Sequence, residues 1–153
     1  MRKFLAAVAL FSSLMLTGAG AALGGELSVT KAPWCGCCNA WIDHMKAAGY
    51  DVDVHEMDDL SALKVRLGIA PKHQSCHTGE IEGYVIEGHV PAADVERLLA
   101  ERPDAIGLSV PGMPVGSPGM EMGDRKDAYD VLLIKKDGST EVFSRQNQSV
   151  HNH

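Results

Sequence analysis

The sequence predicts an α/β fold in one domain, because segments with strand periodicity alternate with segments that have helical periodicity. A chain of 153 residues that is 45% hydrophobic and 22% charged suits one small globular domain. The predicted order is strand, helix, strand, helix, strand, helix and a β-hairpin, with the first two strands parallel. We therefore expect a central mixed sheet flanked by helices, followed by a methionine-containing loop and a C-terminal hairpin.

The individual elements follow from residue type and spacing. Strands are predicted where β-branched residues alternate with polar ones, at residues 27–31, 51–56 and 83–87. Helices are predicted where apolar residues recur on one face, at residues 38–48, 58–67 and 91–101. The turn Asp137-Gly138 between two apolar runs predicts the hairpin, with strands at 129–135 and 140–145. Residues 71–80 are expected to be irregular, and 103–123, rich in glycine and proline, to form a long loop.

The first 21 residues have the pattern of a secretory signal peptide. Arg2 and Lys3 precede an apolar run at 4–16, and Ala19-Gly20-Ala21 is typical of a cleavage site. The run is shorter than the roughly 20 residues that a membrane-spanning helix needs. We therefore expect residues 22–153 to form the mature domain, exported to the periplasm and not membrane-spanning after cleavage.

The net charge of the chain limits the classes of molecule that it can bind. The formal net charge is −6 with neutral histidines. Phosphate backbones repel an acidic protein, so we expect no nucleic-acid partner.

Three of the four cysteines lie within four positions, at Cys35, Cys37 and Cys38. They fall between a predicted strand and a predicted helix, where unpaired N–H groups and the helix dipole favour a thiolate. Adjacent cysteines rarely form a relaxed disulfide, so the cluster fits a metal site or a redox site better than a structural crosslink. Burial as small apolar side chains is the alternative without chemistry.

The fourth cysteine, Cys76, precedes the predicted strand at 83–87. If the first and third predicted strands are neighbours, Cys76 lies at the same end of the sheet as the other three. The adjacent His77 is then either a further ligand, a hydrogen-bonding partner of a ligand, or a histidine without a role at the site.

Methionines in the long loop form the third candidate group, namely Met113, Met120 and Met122. They show no helical or strand period, and thioether sulfur is a soft ligand that favours Cu(I). The alternative is a loop that packs its methionines on the surface. The terminal His151-Asn152-His153 is either a binding site for Cu(II) or Zn²⁺ or a disordered end, which we favour.

Two resemblances connect these motifs. Trp34-Cys35-Gly36 followed by Cys38 resembles the thioredoxin active-site motif, with Cys37 where thioredoxins commonly carry proline. The larger pattern is similar to the CopG-type periplasmic copper-resistance proteins, a family once described only as a domain of unknown function. The matching segments are Cys35-Gly36-Cys37-Cys38, Gly68-Ile69 with Pro71, residues 75–78, residues 83–91, and Gly107-Leu108 through Met113-Pro114 to residues 120–123.

This resemblance implies a thioredoxin-like fold and a role in copper tolerance. It also implies that Cys35, Cys37, Cys38 and Cys76 ligate copper. Apart from the resemblance, a copper-binding protein needs a recipient for its metal, and a copper efflux or storage protein is the partner that we expect.

The charge of the site favours copper over zinc. One Zn²⁺ bound by four thiolates leaves a net charge of −2, whereas four Cu(I) ions sharing four thiolates are neutral. A partly buried site tolerates neutrality better than charge. We therefore expect a thiolate-bridged cluster of several Cu(I) ions, and a metal-binding protein rather than an enzyme.

Two redox functions remain as alternatives. In a thiol–disulfide oxidoreductase Cys35 would be the nucleophile and Cys38 the resolving thiol. Pro71 would then lie near the site, as a cis-proline does in thioredoxins, although the sequence does not give its isomer. The other alternative couples electron transfer to the interconversion of Cu(I) and Cu(II).

Overall fold

The computed structural model describes residues 25–148. The predicted signal peptide at 1–21 and the histidines of the tail lie outside the described residues. The elements in chain order are β1 (Glu26–Lys31), α1 (Gly36–Ala47), β2 (Asp51–Glu56), α2 (Ser61–Arg66), a single 3₁₀ turn (Pro71–His73), β3 (His77–Ile81), β4 (Tyr84–Glu87), α3 (Ala92–Glu101), β5 (Ala105–Ser109), β6 (Tyr129–Lys135) and β7 (Thr140–Gln146). No helix within 25–148 has the length and apolar character needed to cross a bilayer.

The strands form one mixed sheet of seven, in the order β2-β1-β3-β4-β5-β6-β7. β1 and β2 are parallel, as predicted for the first crossover, and β4 and β5 are the second parallel pair. The remaining neighbours are antiparallel. The α/β prediction, with its mixed sheet and C-terminal hairpin, is therefore confirmed.

Two strands were missed by the sequence patterns. β3 falls in the segment 71–80, which was expected to be irregular, and β5 falls in the predicted loop 103–123. Both strands are short and contain glycine, and β3 is mostly polar, so neither shows a clear apolar period. Hydrogen bonding to strands on both sides stabilises these segments, which local propensity does not report. As a result β3, and not the predicted third strand, lies beside β1.

The sheet is covered on both faces. The larger apolar cluster joins α1 and α3 to the sheet through residues such as Trp41, Leu98 and Ile86. A smaller cluster contains Ile69 and Val85. Because consecutive residues of a strand point to opposite faces, Val85 and Ile86 place the two clusters on opposite sides of the sheet. The segment after α2 thus covers the face that α1 and α3 leave open.

Candidate metal centre

The junction between β1 and α1 carries three cysteines. Cys35 is the residue before the helix, in an extended conformation with φ −77° and ψ 94°, and its side chain caps no helical N–H. Cys37 and Cys38 lie in the first turn, which contains no acidic residue. The sulfurs therefore lie at the positive end of the helix dipole, and no carboxylate of the first turn competes with them for a metal ion.

The fourth cysteine reaches this junction through β3. β3 runs antiparallel to β1, and its first residue, His77, pairs with Lys31 at the end of β1. Cys76 immediately precedes that residue, so it lies beside the start of the cysteine loop. The predicted meeting of the four cysteines is thus observed, although the neighbouring strand that produces it is β3 and not the strand at 83–87.

The four sulfur atoms lie within 4.8 Å of one another. Cys37 Sγ is 3.6 Å from Cys35 Sγ and 3.8 Å from Cys76 Sγ. Cys35 and Cys38 form a disulfide, while Cys37 and Cys76 are free thiols. All four can act as ligands only after that disulfide is reduced, which takes two electrons. The peptide bond before Pro71, whose isomer the sequence left open, is trans, since residues 25–148 contain no cis peptide bond.

Burial controls the protonation of Cys76. Desolvation, followed by the neighbouring Cys37 thiol, raises the pKa of the Cys76 thiol to about 12. The thiol is therefore protonated at neutral pH, and a metal ion must displace its proton to bind.

This requirement predicts a pH dependence. Between about pH 6 and pH 8 the apparent Cu(I) affinity of the reduced protein should rise roughly tenfold per pH unit for each thiol proton displaced. An anaerobic competition titration against a chromophoric Cu(I) chelator measures the slope. In Cys76→Ala the slope should fall by about one proton. An affinity independent of pH would contradict the expectation.

A buried ion pair fixes the position of Cys76. Lys64 Nζ donates to Glu87 Oε1 at 2.5 Å and to Thr78 Oγ1 at 2.9 Å. Thr78 Oγ1 donates to Glu87 Oε2, and the Ser75 backbone N–H donates to Glu87 Oε1 at 2.7 Å. The Glu87 side chain is fully buried. The Glu87 carboxylate therefore binds Ser75 and Thr78, the residues that flank Cys76 and His77 in the chain.

Two buried histidines face the sulfur of Cys76. His77 Nδ1 is 3.4 Å and His89 Nε2 is 3.1 Å from Cys76 Sγ. Both rings are fully buried. Burial lowers the pKa of both imidazoles, which are therefore neutral at pH 7 and carry a nitrogen lone pair. His77 was a candidate from the sequence, whereas His89 was missed as a site residue.

The methionine loop is fastened around the site. Ser75 Oγ donates to the Gly112 carbonyl, and Gly112 N–H donates to the Gln74 carbonyl. Gly119, at φ +85°, packs so closely on α1 that a Cβ there would lie 2.8 Å from the Cys37 carbonyl oxygen. Only glycine fits both that conformation and that contact. At the surface, His44 Nε2 on the helix lies 2.7 Å from Glu121 Oε1 on the loop.

The three methionines differ in their distance from the sulfurs. Met113 Sδ lies 4.0 Å from Cys37 Sγ, with the side chain 52% exposed. Met122 is 63% exposed, and within residues 25–148 neither Met120 nor Met122 makes a hydrogen-bond contact with a cysteine. Met113 is therefore the loop methionine placed to reach a metal ion at the cysteines.

A pair of variants tests this difference. Met113→Leu should lower the Cu(I) affinity about 3- to 10-fold, because it replaces a soft thioether by a hydrocarbon of similar volume. Met122→Leu, the matched control, should change the affinity less than about twofold, because its side chain faces solvent. The measurement is chelator competition on reduced protein. Equal effects of the two substitutions would show that Met113 contributes no ligand.

The sequence carries a signal for Glu87 and His89 as residues of the site. Both residues follow the apolar run Tyr84-Val85-Ile86, where a charged or polar side chain is buried together with its neighbours. A buried polar group needs a partner, so these positions could have been identified as parts of a polar network. Their partners come from segments distant in the chain and were not predictable.

Comparisons with known proteins identify the family of the chain. A family described as "Protein of unknown function, DUF411" matches residues 73–120, the segment that contains Cys76 and His89. No curated protein matches the chain. Two solved structures, both named Copper resistance protein copG, are 50% identical to it. Form 1 has a TM-score of 0.76 and the match covers 80% of this chain and 97% of that one. Form 2 has a TM-score of 0.75, with 78% and 96% covered. This identity over nearly the whole length of the solved structures shows that the chain belongs to the CopG family of copper resistance proteins.

Proposed function

We propose that this protein binds Cu(I) through Cys35, Cys37, Cys38 and Cys76 and contributes to copper resistance in the periplasm. The observation that carries the proposal is the convergence of four sulfurs within 4.8 Å at the end of a helix. Soft thiolates select Cu(I), zinc and iron–sulfur clusters over hard ions such as Mg²⁺ and Ca²⁺. The name of the two related structures supports copper as the metal.

The proposed form of the bound metal is a thiolate-bridged cluster of several Cu(I) ions. Sulfur separations of 3.6 and 3.8 Å allow one ion to contact two sulfurs and one sulfur to contact two ions. Four monovalent ions would neutralise four thiolates, and Cys38 is fully buried, where an uncompensated charge is costly.

Metal counting by native mass spectrometry tests the cluster. The protein is reduced, handled without oxygen and titrated with Cu(I). We expect several ions per chain, and the count should fall in Cys35→Ser and in Cys38→Ser. A maximum of one Cu(I) per chain would exclude the cluster, and preferential binding of a single Zn²⁺ would replace it by a structural zinc site.

A second function is favoured by the Cys35–Cys38 disulfide at the start of α1. A disulfide in that place is the arrangement used for thiol–disulfide exchange. Insulin reduction with dithiothreitol in copper-free buffer distinguishes the two functions. Brisk turnover that persists in Cys37→Ser would favour the oxidoreductase, and absence of turnover would favour metal binding. Interconversion of Cu(I) and Cu(II) combines both functions and predicts a copper-dependent change in the thiol count.

We also propose that the chain is exported to the periplasm and that it passes its copper to another protein. Cleavage after Ala21 would leave a mature chain that begins at Ala22, which the intact mass of protein isolated from the periplasm tests directly. A copper efflux or storage protein is the proposed recipient of the metal.

A further inference from the structure

The sulfur of Cys76 has donor atoms on two sides. It belongs to the group of four cysteines and also to a second group, Cys76 with His77 and His89, whose donor atoms lie within 4.8 Å of one another. A thiolate carries enough lone pairs to contact a metal ion on each side. The imidazole nitrogens of His77 and His89 therefore extend the candidate site beyond the four cysteines.

The ring of His89 is held in one orientation. Its Nδ1 lies 2.8 Å from the Pro118 carbonyl oxygen, which can only accept a hydrogen bond, so Nδ1 carries the proton. The other nitrogen, Nε2, then carries a lone pair, and it lies 3.1 Å from Cys76 Sγ. Histidines that ligate metals show this arrangement, in which one nitrogen donates to a carbonyl and the other faces the metal.

His77 makes a similar contact with Cys76 but lacks such an anchor. Its Nε2 is buried and makes no hydrogen bond of normal geometry among the described residues, although the Gly88 backbone carbonyl lies close enough to the ring to raise its pKa against the larger effect of burial. Ligation through Nδ1 would place the ring proton on Nε2, where a buried donor without a well-aligned acceptor is costly. The ring instead packs against Trp41, with centroids 4.4 Å apart. Of the two histidines, His89 is therefore the one whose ring is oriented to bind a metal ion beside Cys76.

We propose that His89 Nε2 is a ligand of a copper ion that Cys76 shares with the cysteine cluster. The inference rests on the proposed function and identifies a nitrogen ligand within it. In the metal-free protein the Cys76 S–H donates to His89 Nε2. On loading, the S–H bond breaks, the proton leaves to solvent, and Cu(I) binds both the sulfur and the nitrogen without a change in oxidation state.

The position of Pro118 gives the methionine loop a second role. The carbonyl that orients His89 belongs to the loop, next to Gly119, which packs on α1. The loop thus acts on the site through a backbone oxygen as well as through Met113.

Nitrogen NMR of the unaltered full chain provides the direct test. The protein is labelled with ¹⁵N, reduced under anaerobic conditions and titrated with Cu(I) supplied as its acetonitrile complex. Long-range ¹H–¹⁵N spectra of the imidazole rings should show a shift of His89 Nε2 on loading, while Nδ1 stays protonated. The signals of His55, a residue of β2 whose side chain is 55% exposed, should not shift.

Matched substitutions give the second readout. His89→Gln should lower the affinity for Cu(I) about 10- to 100-fold or remove one ion from the maximum count. His77→Gln, which changes a ring that also contacts Cys76, should alter the affinity less than about threefold, as should His55→Gln.

Two outcomes would overturn the inference, and they are distinguishable. Full copper loading with an unshifted His89 ring, or with His89→Gln equal to the unaltered protein, would remove the nitrogen ligand and leave the cysteine cluster intact. Failure of the unaltered chain to bind Cu(I) would remove the proposed function together with this inference. Because the NMR experiment uses the unaltered protein, it remains decisive even if a variant fails to fold.

Discussion

Replacing Cys76 by serine should abolish the polynuclear copper site. Cys76 is the cysteine that β3 brings to the cluster at the start of α1, and its sulfur is 3.8 Å from Cys37 Sγ. A serine hydroxyl is a hard, weakly acidic group and a poor ligand for Cu(I). We expect the Cu(I) affinity to fall more than about 100-fold, beyond the 10- to 100-fold typical of groups that only orient ligands. The number of bound ions should fall with it.

Anaerobic chelator competition and native mass spectrometry measure this loss. Cys76→Ala, which adds no oxygen, should behave like Cys76→Ser. The urea midpoint of each metal-free variant is the control for folding. A serine variant that binds the same number of ions with an affinity within about threefold of the unaltered protein would remove Cys76 from the ligand set.

Replacing Glu87 by glutamine should destabilise the metal-free protein strongly. The substitution leaves the Lys64 ammonium, whose side chain is 7% exposed, without a compensating charge. Breaking one partner of a buried ion pair typically costs about 3–5 kcal/mol. Because Glu87 also accepts the Ser75 N–H, Cu(I) binding should weaken through displacement of Cys76.

Urea unfolding of metal-free protein, with the disulfide state held constant, measures the free energy of unfolding. Glu101→Gln is the matched control, since its ion pair with Arg97 is exposed and should contribute less than about 1 kcal/mol. The double variant Lys64→Met with Glu87→Gln should recover stability, because it removes the buried charge that the single variant leaves. A loss below about 1 kcal/mol for Glu87→Gln would show that water or another group compensates Lys64.

Several parts of the fold were predictable because their signals are local. The strand at 51–56 and the hairpin around Asp137-Gly138 are correct almost to the residue, since alternation and turn chemistry are contained in the segments themselves. The first helix begins at Gly36, two residues earlier than predicted, because its first turn consists of cysteines that have no apolar period.

The candidate site was predictable in composition but not in its full membership. Soft ligands at Cys35, Cys37, Cys38 and Cys76 follow from residue type and spacing. The choice of Met113 over Met120 depends on how the loop crosses α1, and that path is set by Gly119. His89 belongs to the candidate site because its ring is oriented by the backbone carbonyl of Pro118, which lies 29 residues further along the chain.

The sequence by itself determined the fold class, the identity of the soft ligands and the placement of three of them at the start of a helix. These properties depend on periodicity and on residue chemistry, which are local. Only the tertiary structure decided that β3 separates β1 from β4, that Cys76 lies between sulfur and nitrogen donors, and that a buried Glu87–Lys64 pair holds it there. Strand order and the pairing of buried polar groups arise from contacts between distant segments, and no local pattern encodes them.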